Sequence, residues 1–441
     1  MCYYVYPAGQ TGKLLAAMIE YVEEATVRLI DDAIDGCGLL DYREEILGTH
    51  SFVLLAWDKK SGWNDATMQK IVARLEEFGV AYKEDAFEEY ANKVINKLKA
   101  EISCKGKCRC VGIELGGFAE DKHIGLLDDY LTQKVIFDEK ILLVYFCGFV
   151  ESYKRILEKI KKNNMFAIAV CLSPYDLGLV DCVDVLCKVS WTLKNPYVKT
   201  IEIGHSMSNF SEIDLNVHKK HFDYLCIGSR EFYPKRDSRE VVCLKSGYLA
   251  FDRVYGELNG LGYCRRGGGI LFDAYNEDEF YEMLPLIRVA LKKYKVRFRA
   301  RFFTQGNDWK HSKDAIDSLL KNPNFSVDAN WKMSVESYKD SFVLVCGATT
   351  MKYTFPLLAL SPSFVLSDAS DVLNGNLGVV YSRDISPGSF FKIVQEIDAN
   401  REIWREKILH YREAVCYNFG NASTYLAEFI LKLLKEKHET R

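Results

Sequence analysis

The order of strands and helices most constrains what this chain of 441 residues can fold into. Short apolar runs with strand character recur along the sequence, and amphipathic runs with helical spacing separate them. Strands that alternate with helices predict parallel sheets. A right-handed helical crossover returns the chain to the end of the sheet at which the previous strand began, so the next strand runs in the same direction. The sequence therefore predicts an α/β fold.

The composition is typical of a folded globular protein. Hydrophobic residues make up 48% of the sequence and charged residues 27%, as in ordinary globular domains. The net charge of −3 gives no support for general nucleic-acid binding. The first residues lack the pattern of a signal peptide, and no apolar run is long enough to span a bilayer. We expect a cytoplasmic protein with no nucleic-acid partner.

The alternation of strands and helices falls into three blocks. Residues 1–100 predict a small Rossmann-like unit, and the mixed, charged segment 101–139 predicts a connection. We predict one domain over residues 140–258 and another over 259–441, because each range has enough strands and helices to form a domain of its own. Two consecutive α/β blocks predict two facing Rossmann-like domains, in which ligands bind beyond the carboxyl ends of the strands.

Cysteine and histidine residues give little support for a metal site. The 14 cysteines lie mostly in apolar segments, which is typical of core thiols in a reducing compartment. Cys104, Cys108 and Cys110 are close in sequence, but their spacing is irregular for zinc. His218 and His221 lack an evident third ligand, and a solvated helix face is the better account of them. We predict neither a metal nor another cofactor.

The segment IEIGHSMS (201–208) predicts a catalytic loop. His205 follows a strand and a glycine, which places it at the carboxyl end of that strand, facing the predicted cleft. A histidine there can act as a general base near neutral pH. Ser206 and Ser208 supply small hydroxyl groups that can bind an acceptor. A histidine bonded to backbone at a strand end is an equally weighted alternative.

A second segment, Gly347-Ala348-Thr349-Thr350, follows a buried strand and opens a helix. Small residues let a diphosphate approach the backbone, and the helix N-terminus favours its negative charge. Threonine hydroxyls add further donors. An ordinary threonine N-cap, which is common, is the alternative.

Three stretches, in this order, resemble the motifs of a known family. They are GHSMS (204–208), SGYLAFDRV (246–254) with GILFDAY (269–275), and GATTMKYTFPLLALSPSFVL (347–366). The family is the CDP-glycerol glycerophosphotransferases of teichoic acid and capsule synthesis, and the resemblance covers roughly residues 140–431. It implies a GT-B transferase with two Rossmann-like domains. It also implies that His205 deprotonates the acceptor and that Thr349 and Thr350, with the backbone after Gly347, hold the donor diphosphate.

The chain departs from the family pattern at several positions. Ser206 replaces a glycine, and Gly347-Ala348 stands where the family has an aspartate before its hydroxyl pair. The strand VRFRARFF replaces a family strand with a basic residue and a histidine. Arg299 or Arg301 can take over phosphate contact there, because guanidinium groups suit phosphate. The departures leave CDP-glycerol, CDP-ribitol and other nucleotide-activated sugars open as donors.

The opening stretch VYPAGQTGKLL predicts a strand, a glycine turn and a helix. Gly9, Gly12 and Lys13 fit neither the P-loop nor the G-x-G-x-x-G spacing. The block nevertheless resembles the small nucleotide-sugar-binding unit at the start of sugar O-acyltransferases. That resemblance implies a second nucleotide site, with phosphate on the turn and ribose on Asp31. A plain strand–helix turn without a ligand stays open as an alternative.

We therefore expect a transferase that moves glycerol phosphate, another polyol phosphate or a sugar from a nucleotide-activated donor to a glycan or lipid-linked acceptor. Its basic amphipathic segments suit peripheral contact with the inner face of the plasma membrane. One alternative is a GT-B nucleotide-sugar epimerase, which needs acidic residues that the sequence does not place. The other is a non-catalytic partner that binds nucleotide sugars in glycan assembly.

Overall fold

The strands of this protein form three separate parallel sheets, which confirms the predicted α/β class. The structure is a computed structural model. It describes residues 2–34, 36–49, 51–60, 65–106, 108–115, 141–204, 214–234, 238–260, 268–300, 312–328, 335–347, 349–367 and 373–439.

The first sheet has four strands in the order β2-β1-β3-β4. Two of its helices, α1 and α4, pack against the second sheet. Leu15 of α1 and Val94 of α4 lie in one apolar core with Val144 and Val170 of that sheet. The N-terminal unit is therefore docked on the second sheet. Its elements are β1 (Cys2–Tyr6), α1 (Gln10–Glu23), β2 (Thr26–Leu29), α2 (Leu39–Gly48), β3 (Val53–Leu55), α3 (Asp65–Glu77), β4 (Tyr82–Lys83) and α4 (Ala86–Cys104).

The second sheet has seven strands in the order β11-β10-β9-β8-β5-β6-β7. Its strands are β5 (Arg109–Leu115), β6 (Ile141–Cys147), β7 (Ala167–Cys171), β8 (Val185–Lys188), β9 (Lys199–Glu202), β10 (Tyr224–Cys226) and β11 (Val242–Leu244). Helix α5 (Val150–Asn163) joins β6 to β7, and the short α6 (Leu215–His218) precedes β10.

Strand β5 lies within 101–139, the segment that the sequence predicted to be a connection. The sheet therefore begins at Arg109 rather than at residue 140, and β5 pairs with both β6 and β8. The sequence RCVGIEL hid the strand because Gly112 and Glu114 interrupt its apolar run. Gly112 is required there, since a Cβ atom would lie 2.9 Å from side-chain carbons of Leu186 and Phe146.

The third sheet has six strands in the order β14-β13-β12-β15-β16-β17. Its strands are β12 (Gly269–Ala274), β13 (Lys295–Ala300), β14 (Phe325–Asp328), β15 (Ser341–Cys346), β16 (Ser363–Leu366) and β17 (Gly378–Tyr381). The helices around it are α7 (Leu249–Gly260), α8 (Glu277–Ala290), α9 (Lys313–Leu320), α10 (Val335–Lys339), α11 (Met351–Ala359), α12 (Pro387–Ala399) and α13 (Arg401–Val415).

The chain then returns from the third sheet to the second. After α13, the Tyr417 N–H donates to the Gly228 carbonyl at 3.0 Å, and the Asn418 side chain donates to the Lys245 carbonyl at 2.7 Å. The last helix, α14 (Ala422–Glu439), follows. Its apolar face, including Leu426 and Ile430, packs on the second sheet. The predicted domain 259–441 thus ends in a helix that covers the core of its neighbour.

A buried carboxylate holds the start of α14. Asp252 of α7 accepts the N–H of Ala422 at 3.1 Å and that of Ser423 at 2.6 Å. The first N–H groups of a helix have no partner within the helix, and an acceptor with negative charge satisfies them best. Asp252 therefore ties α7, which packs on the third sheet, to the helix that covers the second. The sequence had assigned no role to Asp252.

A second contact links the same two parts of the chain. Glu231, in a short 3-10 turn after β10, accepts hydrogen bonds from the Tyr411 hydroxyl of α13 and from the Asn374 side chain, the latter at 3.2 Å. Burial and the hydrogen bond to Glu231 raise the pKa of Tyr411, so the phenol keeps its proton. Within the described ranges, no helix is long and apolar enough to cross a bilayer.

We predict that Asp252→Ala loosens α14 specifically. Two buried N–H groups lose their acceptor, which costs about 1–3 kcal/mol. Amide hydrogen exchange in the first turns of α14 should therefore become roughly five to 150 times faster. Glu257→Ala is the matched control, because Glu257 is exposed on the same helix and only reaches Arg253 at 3.9 Å. Equal exchange rates in the two variants would contradict the capping role.

Candidate functional site

The carboxyl edges of the second and third sheets are where a parallel fold binds ligands. At the second sheet, β9 ends at Glu202 and the chain turns at Gly204, whose φ of +76° lies in the left-handed region that suits glycine. The predicted catalytic His205 follows this turn. His205, Ser206 and Ser208 lie outside the described residues, so their roles stay predictions.

Glu202 holds the turn that leads to His205. Its side chain is fully buried. One carboxylate oxygen accepts the indole N–H of Trp191 at 3.3 Å, and the other accepts the N–H of Gly204 at 2.9 Å. Burial raises the pKa of Glu202 to about 8, although both hydrogen bonds oppose the shift. The carboxyl group thus fixes the backbone just before the loop and titrates close to neutral pH.

Two more buried ionisable side chains lie on neighbouring strands at this edge. Glu114 of β5 accepts the N–H groups of Val189 and Ser190 at 2.9 and 3.0 Å with Oε2. Its Oε1 has no hydrogen-bond partner among the residues that the structure describes. Burial raises the pKa of Glu114.

Lys188, the last residue of β8, completes the group. Its Nζ donates to the carbonyl oxygen of Thr192. Burial lowers the pKa of Lys188 to about 8, whereas Glu114 and Glu202 act to raise it. We call Glu114, Lys188 and Glu202 the buried ionic cluster. Sequence reasoning missed it, although each residue stands out as one charge inside an apolar strand.

At the third sheet, three of the six residues predicted to bind the donor, Gly347, Thr349 and Thr350, lie together at one helix start. Gly347 follows the inner strand β15, and its carbonyl oxygen accepts the N–H of Thr349 at 2.8 Å. Thr349 is buried, and its hydroxyl accepts the N–H of Met351, the first residue of α11, at 3.3 Å. Thr350 is exposed at the start of that helix. Ala348 is not among the described residues. The donor role of this helix start stays a prediction.

Arg299 is not open to solvent as a phosphate-binding side chain would be. It is buried in β13, two strands from β15, and pairs at 3.8 Å with Asp273 of β12. Arg299 and Asp273 are also partners in the strand register. The guanidinium charge is therefore partly neutralised inside the sheet. Arg301 lies beyond the described part of β13.

The structure adds one carboxylate that the sequence did not indicate. Glu279, in the first turn of α8, accepts the N–H of Tyr275 at 2.8 Å with Oε2. Its Oε1 lies against Gly347, so close that a Cβ atom built there would be 2.5 Å away. Acidic residues at a helix start are common, and so the run EDEF gave no specific signal.

The opening loop borders a cavity of about 190 Å³ at the carboxyl ends of β1 and β3. Gly9 and Gly12, two of the residues predicted for a second nucleotide site, line it. Gly12 must lack a side chain, because a Cβ atom would collide with the carbonyl oxygen of Pro7. The other lining residues are Pro7, Gln10, Thr11, Ala56, Trp57, Asp58, Thr67 and Met68.

Lys13 and Asp31, the other two residues predicted for this second nucleotide site, do not line the cavity. Lys13 is exposed on α1, and Asp31 uses Oδ1 to accept the N–H of Ala33 at 3.0 Å in a local turn. The acid in the wall is Asp58, which accepts the Ser173 hydroxyl at 2.8 Å. A carboxylate there repels phosphate. A ligand for this cavity stays a prediction.

Metal binding finds no support in the described part of the chain, where no three His, Cys, Asp or Glu side chains are grouped to hold an ion. Cys108 and Cys110 have sulfur atoms 4.0 Å apart, and Cys104 is exposed. His218 packs edge-on to Trp191 with ring centroids 4.5 Å apart, and burial lowers the pKa of His218 and of His221.

Comparison with known proteins identifies the fold but no family. No protein-family model and no curated protein sequence matches this chain. A solved structure described as a UDP-N-acetylglucosamine 2-epimerase from Listeria monocytogenes matches with a TM-score of 0.51 and 12% identity, over 76% of this chain and 98% of that one. MurG from Acinetobacter baumannii matches with a TM-score of 0.41 and 11% identity, over 74% and 99%. The three parallel sheets and the likeness in fold to the Listeria structure agree with the predicted GT-B arrangement of the two larger sheets, with a small Rossmann-like unit before them.

We predict that the Tm of Glu202→Gln increases relative to the Tm of wild type as pH rises from 6 to 9. The folded wild type holds a proton on Glu202 up to about pH 8, and the unfolded chain releases it near the ordinary value of 4.5. The stability that this raised pKa contributes is therefore lost as pH rises from about 4.5 to about 8, and little more is lost above 8. Loss of its attraction for Lys188 acts in the same direction, since it lowers the pKa of that lysine further.

The measurement is the difference in Tm between variant and wild type at pH 6, 7, 8 and 9. Glutamine keeps an acceptor oxygen for the Gly204 N–H, so the turn itself is retained. Glu114, Lys194 and Asp223, which also act on Lys188, are common to both proteins. Glu240→Gln, on an exposed side chain, should show no trend. A Tm difference that is flat for Glu202→Gln as well would show that Glu202 does not titrate in this range.

Proposed function

We propose that this protein is a GT-B transferase that moves a group from a nucleotide-activated donor to an acceptor hydroxyl. The observation that carries the proposal is that the carboxyl edges of the third and second sheets each carry a feature suited to one half of the reaction. The third sheet presents a helix start, Gly347 to Thr350, that suits the phosphates of a leaving nucleotide. The second sheet presents the turn before His205, held by a buried carboxylate.

On the donor side, α11 begins just after β15, and the positive end of its helix dipole favours an anion there. The Met351 N–H already donates to the Thr349 hydroxyl and the Lys352 N–H to the Thr349 carbonyl, so the attraction would come from the dipole rather than from free N–H groups. Thr350 is exposed there and can add its hydroxyl. Such preorganised donors stabilise the charge that develops on the leaving diphosphate. Arg299 would act at longer range, through its field rather than by contact.

On the acceptor side, His205 would take the proton of the acceptor hydroxyl as its oxygen attacks the donor. An imidazole with an ordinary pKa near 6.5 suits that step at neutral pH. Ser206 and Ser208 would orient the acceptor. Glu202 contributes indirectly, because it fixes the backbone of Gly204 next to the base.

The motif resemblance favours a CDP-linked donor and the transfer of glycerol phosphate, another polyol phosphate or a sugar. The acceptor would be a surface glycan or its lipid-linked precursor. Exposed lysines on α5, among them Lys154, Lys161 and Lys162, suit peripheral contact with an anionic membrane face. Such contact would place the protein at the inner face of the plasma membrane.

A nucleotide-sugar epimerase is the second candidate, and the buried ionic cluster favours it. Proton transfer at a sugar carbon needs acidic and basic groups near their working pKa. Glu114 and Glu202 are two such carboxyl groups at the expected edge, with raised pKa values. A non-catalytic nucleotide-sugar-binding protein is the third candidate, and it would bind without turnover.

We predict that one nucleotide family raises the Tm and that Thr349→Ala/Thr350→Ala abolishes the rise. The panel is CDP, CMP, UDP, GDP and CDP-glycerol. A ligand at a hundred times its Kd stabilises the folded state by about 2.7 kcal/mol, which a thermal scan detects. Thr49→Ala, in the N-terminal unit, is the control and should behave as wild type. A rise that survives the double substitution would place the nucleotide elsewhere, with the Gly9 cavity next to be tested.

We predict that His205→Ala lowers transfer by at least about a hundredfold, the usual contribution of a general base, while leaving the nucleotide-induced rise in Tm unchanged. The assay incubates CDP-glycerol and UDP-sugars with acceptor glycan and follows product formation. Glu114→Gln discriminates between the enzymes. It should abolish epimerisation of a UDP-sugar if that reaction occurs, and transfer should tolerate it. Activity that is indifferent to His205→Ala contradicts the proposed base.

A further inference from the structure

Cys108 and Cys110 form a close pair of thiols that the proposed function does not use. Their sulfur atoms lie 4.0 Å apart, and both are free cysteines. Cys110 is the second residue of β5 and is 3% exposed, whereas Cys108, just before the strand, is half-buried. Cys108 is therefore the thiol of the pair that a small molecule in solution can reach.

The pair lies where the N-terminal unit meets the second sheet. Cys110 belongs to the apolar core that α1 and α4 share with that sheet, and Cys108 packs against this core. The Cys110 N–H donates to the Asp184 carboxylate at 2.9 Å, and the Asp184 N–H donates to the Cys110 carbonyl at 2.8 Å. A chemical change at the two thiols therefore acts on the start of β5 and on the packing of the docked helices.

A disulfide between the two thiols is within reach, but it would bend the strand. The bond needs sulfur atoms about 2 Å apart and Cα atoms about 4.4–6.8 Å apart. Residues two positions apart in an extended strand are separated by about 6.6 Å, at the upper end of that range. Forming the bond therefore draws the start of β5 together, and a strained bond of this kind is easily reduced. Transient disulfides are the usual kind in a reducing compartment.

We propose that Cys108 and Cys110 are a thiol-modification site, at which a low-molecular-weight disulfide generates a reversible Cys108–Cys110 bond. The Cys108 thiolate attacks one sulfur of the small disulfide, and the other sulfur leaves as a thiolate that takes up a proton. Cys110 then attacks the Cys108 sulfur and releases the second small thiol. One small disulfide is reduced to two thiols, and the two protein thiols lose their protons and are oxidised to one disulfide.

The order of the two attacks follows from burial. Burial raises the pKa of the Cys110 thiol, so Cys110 keeps its proton and is slow to attack a reagent in solution. Once Cys108 carries the mixed disulfide, the Cys110 sulfur lies next to its target, and proximity offsets the small fraction of thiolate. The bent strand then weakens the hydrogen bonds between Cys110 and Asp184. We expect oxidation to loosen the N-terminal unit from the second sheet.

The experiment treats the full native chain with glutathione disulfide, blocks the remaining thiols and digests the protein with trypsin. Trypsin cleaves after Lys107 and Arg109, so the proposed bond joins peptide 108–109 to peptide 110–122. We expect this linked pair of peptides in wild type, and reduction should separate it.

Variants test the order of attack. Cys108→Ser should form neither the bond nor a glutathione adduct at position 110. Cys110→Ala should stop at the mixed disulfide, with one glutathione on Cys108. Cys104→Ser is the matched control, because Cys104 is exposed and lies close by in the sequence, and it should give the linked peptides as wild type does.

Amide hydrogen exchange measures the effect on docking. In oxidised wild type, exchange in α4 and β5 should be roughly ten times faster than in reduced wild type, as for the loss of buried hydrogen bonds. Helix α8, which packs on the third sheet, is the internal control and should exchange at the same rate in both forms.

Three results would contradict the inference. Wild type that keeps both thiols in an excess of glutathione disulfide would overturn it. A bond from Cys108 to Cys182, which packs against the same core, would overturn the assigned pair, and it would persist in Cys110→Ala and be lost in Cys182→Ser. Equal exchange of α4 in the oxidised and reduced forms would overturn the effect on docking.

Discussion

The contact between Asp252 and the start of α14 joins the two larger sheets into one molecule. Helix α14, which covers the second sheet, follows all the strands of the third sheet in the sequence. Its first N–H groups are satisfied from α7, which packs on the third sheet. The Glu231–Tyr411 hydrogen bond repeats the connection a short distance away. These contacts connect the parts of the chain that carry the two carboxyl edges.

The buried ionic cluster is costly for a structure that only needs to fold. Two carboxyl groups and one ammonium group are removed from water at the end of three neighbouring strands, and burial of charge seldom gains net stability. Their pKa values are moved towards neutrality in opposite directions. Perturbed groups of this kind concentrate at functional sites, and this cluster lies just before the loop that carries His205.

The sequence predicted best what local pattern determines. Apolar runs such as GILFDA form strands, and Gly347, Thr349 and Thr350 lie together because they are neighbours along the chain. Strand β5 was missed because Gly112 interrupts its apolar run. That glycine leaves room for the side chains of Leu186 and Phe146, which are distant in sequence. The return of α14 to the second sheet has no local signal at all.

The polar residues also separate into those whose position depends on local sequence and those whose position depends on distant contacts. Gly9 and Gly12 line a cavity, since a strand–glycine–helix turn brings its glycines to the carboxyl end of the strand. Lys13 and Asp31 lie outside that lining, because the direction of a side chain depends on the packing around it, and the nucleotide role of all four residues stays a prediction. Glu114, Lys188, Glu202 and Glu279 acquire their properties from burial and from partners on other strands or helices, which the sequence does not show.

The position of Glu279 limits which residues can stand at position 347. A carboxylate from the adjacent helix occupies the space next to Gly347 that a side chain there would fill. An aspartate at 347 would meet both the atoms and the charge of Glu279. The two positions are therefore coupled: this arrangement accepts a side chain at 347 only if residue 279 changes with it.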